Sequence, residues 1–101
     1  MDQYHLMSDY IKALAHPTRL QILELLRAGE RCVCEIFPAL NIEQSSVSRH
    51  LALLKKEGLL RSRKEGLKVI YWASDPLVYE IIDRCAESIR HIWQEKAEIV
   101  S

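Results

Sequence analysis

Apolar residues recur along the first half of the chain at spacings of three and four, the period of one helical face. Tyr4, Met7, Ile11 and Leu14 form one such stripe. Leu20, Ile22, Leu23, Leu25 and Leu26 form a broader second stripe. Pro17 suits the first turn of that helix, where a residue has no N–H partner to lose, and Gly29 suits its end. The pattern then predicts a third helix within residues 34–40, a turn at Asn41–Gln44, and a fourth helix from Ser45 to Glu57 stopped by Gly58. Val47, Leu51 and Leu54 are the inward positions of the fourth helix. Two β-favouring runs follow, Leu59–Lys64 and Leu67–Ala73, joined at Glu65-Gly66 as a hairpin. Asp75-Pro76 makes an N-cap and first-turn pair for a long last helix. The seam of that helix is Val78, Ile81, Ile82, Cys85, Ile89, Ile92 and Ile99.

A short helix, a turn and a second helix followed by a two-stranded hairpin predict a winged helix-turn-helix, mainly α with a small β-hairpin. A length of 101 residues predicts one domain over residues 1–101. A chain this short buries a modest fraction of its surface, so oligomerisation is a natural cover for its surplus apolar stripes. Residues 1–16 and 75–101 are the candidate dimerisation helices, 32–57 the helix-turn-helix, and 59–73 the wing.

Net charge is zero, yet it is unevenly spread. Residues 49–68 carry seven bases and two acids, between acidic segments on either side. A phosphate backbone responds to the local field, because salt screens charge beyond ~10 Å. On the fourth helix Ser45, Arg49, Ala52 and Lys56 share the face opposite the apolar one, with Ser46 and Ser48 flanking it. Small hydroxyls let a helix sit deep in a major groove, and an Arg there can engage guanine through two hydrogen bonds. The candidate DNA contacts are therefore Gln44, Ser45, Ser46, Ser48, Arg49 and Lys56, with Arg61, Arg63 and Lys64 of the wing on phosphates or a minor groove. His50, at the edge of the apolar face, is a packing or phosphate contact rather than a base reader. A basic hairpin alone is equally a solvated β-edge kept from aggregating by its charges; the adjacent serine-rich helix favours DNA.

The three cysteines, Cys32, Cys34 and Cys85, are odd in number and unevenly spaced, which argues against a disulfide framework. No run of ~18 apolar residues predicts a membrane span, and MDQYHLMSDY lacks the basic start of a secretory signal. These features fit a cytoplasmic protein with reduced thiols. Thiolates are soft ligands, and two at short spacing give local chelation. On a regular helix residues i and i+2 point apart, whereas on an extended segment they share a face. Joint capture by Cys32 and Cys34 thus requires a non-helical stretch. Pro38 lacks the N–H that would bond the Cys34 carbonyl, which weakens the turn over the pair.

The segments LAHPTRLQILELL, RCVCEI, SSVSRHLALLKKEGLLRSRKEG and VIYWAS resemble the ArsR/SmtB family of metal-responsive repressors, over about Leu14 to Pro76. The paired cysteines place the chain nearer the arsenic-sensing branch. The resemblance implies a homodimer, built on the first and last helices, that holds double-stranded operator DNA until a metal or metalloid binds. It also implies Cys32 and Cys34 as ligands, with arsenite or antimonite as effector and cadmium or lead behind. One arsenic-sensor pattern has a third Cys where this chain has Phe37; Cys85 is the remaining thiol, either a packing residue or a ligand from across the dimer. The zinc and cobalt pattern on the last helix is broken, with Leu77 and Ser88 beside Asp75 and His91. No cysteine precedes Cys32 to build a cadmium or lead site, and His5 is a weak substitute.

A thiol redox or persulfide switch is the competing reading, pairing Cys32 or Cys34 with Cys85. A Cys32–Cys34 disulfide closes a small ring and is disfavoured on sequence grounds. A winged helix used for protein contacts is a third. No nucleophile–base constellation or phosphate-cradling glycine loop points to an enzyme or a catalytic cofactor.

Overall fold

The computed structural model describes residues 2–100, with side chains through Glu98. Its elements in chain order are α1 (Gln3–Leu14), α2 (Pro17–Leu26), β1 (Arg31–Cys32), α3 (Val33–Leu40), α4 (Gln44–Lys56), β2 (Leu60–Glu65), β3 (Lys68–Ala73) and α5 (Leu77–Val100). This is the expected winged helix-turn-helix, with one addition. The sheet has three antiparallel strands in the order β1-β3-β2, because Arg31 and Cys32 pair with Tyr71 and Ile70 of the hairpin. A two-residue strand carries no periodicity and therefore leaves no pattern in the sequence.

Local chemistry sets the boundaries. Asp2 caps α1, its carboxylate accepting from the Tyr4 N–H at 2.6 Å. Pro17 opens α2 behind His16, whose Nδ1 accepts from the Thr18 N–H at 3.0 Å. Asn41, at φ 54°, closes α3 in the left-handed region that Asn tolerates. Gly58, at φ 86°, ends α4, with its N–H on the Lys55 carbonyl and that of Leu59 on the Leu54 carbonyl. That is the Schellman arrangement, which a left-handed Gly permits. In the hairpin Glu65 faces Lys68, so the loop is Gly66-Leu67, one residue later than expected. The Asp75 carboxylate accepts from the Leu77 N–H at 2.9 Å at the head of α5.

The core lies where α2, α3 and α4 meet the sheet. Ile22, Leu23, Ile36, Val47, Leu51, Leu54 and Leu60 are fully enclosed. The stripes on α1 and α5 divide. Leu14 and Val78 root their helices in this core, while Met7, Ile11, Ile81, Ile89 and Ile92 stay exposed. Leu6, Met7, Tyr10, Ile11 and Ile81 line one apolar groove shared by the two helices. Cys85 is also exposed, on the outward stripe with Ile81, Ile89 and Ile92, so it is no core residue of the subunit. The Ile99 side chain lies outside the described residues. No helix among the described residues is long and apolar enough to cross a membrane.

Candidate nucleic-acid interface and thiol site

α4 turns two chemically distinct faces in opposite directions. Val47, Leu51 and Leu54 are buried, whereas Gln44, Ser45, Ser48, Arg49, Ala52 and Lys56 are exposed and Ser46 is half-buried. No side chain caps the first turn of α4, which leaves its amides open to an external acceptor. Arg49 has no hydrogen-bond or ion-pair partner among the described residues. On the wing Arg61 and Lys64 are exposed and equally unengaged. Lys55 donates to the Ser62 hydroxyl at 2.8 Å and fixes the end of α4 to β2.

Arg63 differs from its neighbours. Its guanidinium donates to both Glu30 carboxylate oxygens at 2.6 Å and to Glu65 at 2.8 Å, and it lies 5.4 Å from the centre of the Trp72 ring. The Glu30 carboxylate is held below its ordinary range, chiefly by the hydrogen bond from Arg63. The cation that alternation aimed at phosphate is thus engaged within the protein.

The paired cysteines sit where strand becomes helix. Cys32 is extended, at φ −70° and ψ 147°, and caps α3; Cys34 lies in the first helical turn. The change of direction between them brings the sulfurs together, and the two are joined as a disulfide with Cα atoms 5.1 Å apart. Neither a uniform helix nor a uniform strand describes this pair, and the disulfide disfavoured on sequence grounds is formed. The junction falls between the two residues, so the sulfurs converge without unwinding α3. Cys32 is buried and Cys34 exposed, so the pair is half open to solvent. The Glu35 carboxylate accepts from the Cys32 N–H at 3.1 Å, completing a capping box. Among the described residues no three Cys, His, Asp or Glu side chains converge as a metal site, so Cys85 does not join the pair within one subunit.

The family model described as "Bacterial regulatory protein, arsR family" matches residues 16–62. An HTH-type transcriptional regulator of Methanocaldococcus jannaschii is 43% identical over 83 residues, covering 81% of this chain and 93% of that one. This chain belongs to the ArsR family. The arsenical resistance operon repressor of Escherichia coli is 39% identical to it over 88% of this chain and 76% of its own. The crystal structure of Rv0081 from Mycobacterium tuberculosis superimposes with a TM-score of 0.85 at 28% identity, covering 96% and 98% of the two chains. The homodimeric winged helix-turn-helix domain Mb0332 of Mycobacterium bovis gives 0.69 at 33% identity, covering 94% and 84%. As a member of the ArsR family, the chain is a DNA-binding transcriptional regulator and not an enzyme.

In this ArsR-family chain the half-buried His50 packs from α4 against His16 and Arg19. Its ring centre lies 4.4 Å from that of His16, and its Nδ1 is 3.2 Å from Arg19 Nη1. Arg19 also donates to the Ala13 carbonyl at 2.6 Å and the Lys12 carbonyl at 3.1 Å, tying the end of α1 to α4. Guanidinium only donates, so Nδ1 of His50 accepts and the neutral tautomer carries its proton on Nε2. Burial first, then the charges of His16, Arg19 and Arg49, hold His50 below the ordinary imidazole range. A depressed folded-state pKa means that the unfolded chain protonates first as pH falls. The His50 contribution is therefore complete above the unperturbed value of 6.5 and declines as pH drops from there through the folded-state pKa. Urea midpoints measured from pH 7.5 to 5 should fall more steeply for wild type than for His50→Gln. Parallel pH profiles would remove His50 from this linkage.

Proposed function

We propose that this regulator is a homodimeric repressor that leaves its operator when arsenite or antimonite binds the thiolates of Cys32 and Cys34. The convergence of the two sulfurs at the β1–α3 junction is the observation that carries the reading. The donor set suits a thiophilic ion. Once a thiol reductant has opened the disulfide, arsenous acid exchanges a hydroxyl for each sulfur; the Cys proton leaves with that hydroxyl as one water per As–S bond, and arsenic stays trivalent. A solvent hydroxyl, a small thiol or the partner subunit's cysteine on α5 completes the coordination. Cadmium and lead are weaker candidates on the same donors. Similarity to the E. coli arsenical resistance operon repressor adds support.

Capture at Cys34 acts on the first turn of α3, whose Ile36 is enclosed in the core with Val47 and Leu51 of α4. Moving that turn shifts the support of the DNA-reading helix. Homodimerisation rests on the unburied α1–α5 groove and on the homodimeric relative. A dimer presents Gln44, Ser45, Ser46, Ser48, Arg49 and Lys56 of each subunit to half-sites about 34 Å apart, flanked by Arg61 and Lys64.

A duplex selected from a random-sequence pool, titrated in the presence of reductant, tests the reading. Arsenite should release wild-type protein, while Cys34→Ser should bind the duplex normally and stay bound. Release of Cys34→Ser at wild-type arsenite concentrations would exclude this site. A second reading, a thiol redox switch, is favoured by one observation: the disulfide joins the same two sulfurs. Under it, oxidant without arsenite releases the DNA, and arsenite under reductant does not.

A further inference from the structure

Arg63, Ile70 and Cys32 occupy one row across the three strands, since Arg63 pairs with Ile70 and Ile70 with Cys32. The Arg63 side chain crosses the middle strand, passing over the Trp72 ring to grip Glu30 with both arms of its guanidinium. Glu30 stands immediately before β1 and two residues from Cys32. The cysteine-bearing segment is therefore tied to the wing twice, by the β1–β3 backbone ladder and by this strap. A solvent-exposed ion pair usually holds little, but a bidentate Arg–carboxylate pair within a network is the exception. Arg63 has a second carboxylate, Glu65, on its other side. One cation between two carboxylates presents no net positive charge to a phosphate.

From this geometry we infer that Arg63 is a positioning residue, not a DNA contact. It carries the chemical state of Cys32 and Cys34 through Glu30 into the wing. Any displacement of β1 by chemistry at the sulfurs changes the grip of Glu30 on Arg63, and with it the angle at which Arg61 and Lys64 meet DNA. The helix route through Ile36 and this sheet route leave the thiol pair in opposite directions and meet at the duplex. The sheet route rests on the thiol-sensing reading above; the role of Arg63 at the DNA does not.

Operator affinity measured against salt, with the thiols reduced and then loaded with arsenite or oxidised, separates the possibilities for wild type, Glu30→Gln, Arg63→Met and Lys64→Met. Each phosphate contact contributes about 0.9 to the slope of log K against log salt. Lys64→Met removes one contact from each subunit of the dimer and should lower the slope by about 1.8, whereas Arg63→Met and Glu30→Gln should keep the wild-type slope. Both strap variants should also lose most of the ratio between reduced and loaded affinities. A merely structural role would weaken both states equally and preserve that ratio. A reduced slope for Arg63→Met, or a full wild-type ratio in both strap variants, would overturn the inference. Wild type indifferent to both arsenite and oxidant would sink the thiol-sensing reading and the sheet route with it, and the slope would still decide the role of Arg63.

Discussion

Leu51→Ala is expected to lower the unfolding free energy by about 2–5 kcal/mol, the range for deleting a fully enclosed leucine side chain. Leu51 is completely enclosed on the inner face of α4, in the cluster shared with Ile22, Leu23, Ile36 and Leu54. Its methyls fill the space where α4, α3 and α2 meet. Against a total of about 5–15 kcal/mol for a domain, the loss is a large fraction. A Ser48→Ala change on the solvent face of the same helix should stay within about 0.5 kcal/mol, because no packed neighbour is lost. Urea denaturation at one fixed protein concentration compares them fairly, since the apparent stability of any self-associating protein depends on concentration. A cost below about 1 kcal/mol for Leu51→Ala would mean that the three helices do not share this core.

The inner face of α4 is visible in the sequence because Val47, Leu51 and Leu54 repeat with the helical period, and the helix stop at Gly58 is visible because glycine readily takes the left-handed backbone found there. The same holds for the helix order and for the serine-rich outer face. The single seam expected on α5 conflates two faces, since Val78 packs inward and Ile81 outward, only three residues on. Period identifies an apolar stripe without saying whether its own subunit covers it. Arg63 shows a further limit. Alternation along β2 places it on a strand face, but nothing local announces Glu30, 33 residues earlier, as its partner. Cys32 and Cys34 show a third. Their approach depends on a boundary between strand and helix that falls inside a three-residue segment, below the resolution of any pattern based on period. His16 and Arg19 belong to this group too. Each has a local role at the start of α2, and their convergence on His50 arises from the packing of α2 against α4.

Arg49→Ala is expected to cost about 1–3 kcal/mol of operator binding per copy, roughly a 5- to 150-fold loss, if its guanidinium pairs with a guanine. The two copies in a dimer would sit in separate half-sites, far enough apart for their costs to add. Arg49 suits the task because it is exposed on the outer face near the start of α4 and has no partner to give up among the described residues. Arg63 and Arg19, by contrast, would each have to break interactions before reaching DNA. Affinity alone does not distinguish a base contact from a phosphate contact, whereas selectivity does. Removing a base contact relaxes the preference at one position of each half-site, while removing a phosphate contact weakens all sequences alike. Lys56→Ala provides the second pattern for comparison, being a point charge later on the same face. Binding of each variant to a set of single-base operator variants reads both quantities at once. If Arg49→Ala leaves every base preference intact and only flattens the salt dependence, sequence reading must come instead from the hydroxyls and amide of Gln44, Ser45 and Ser48.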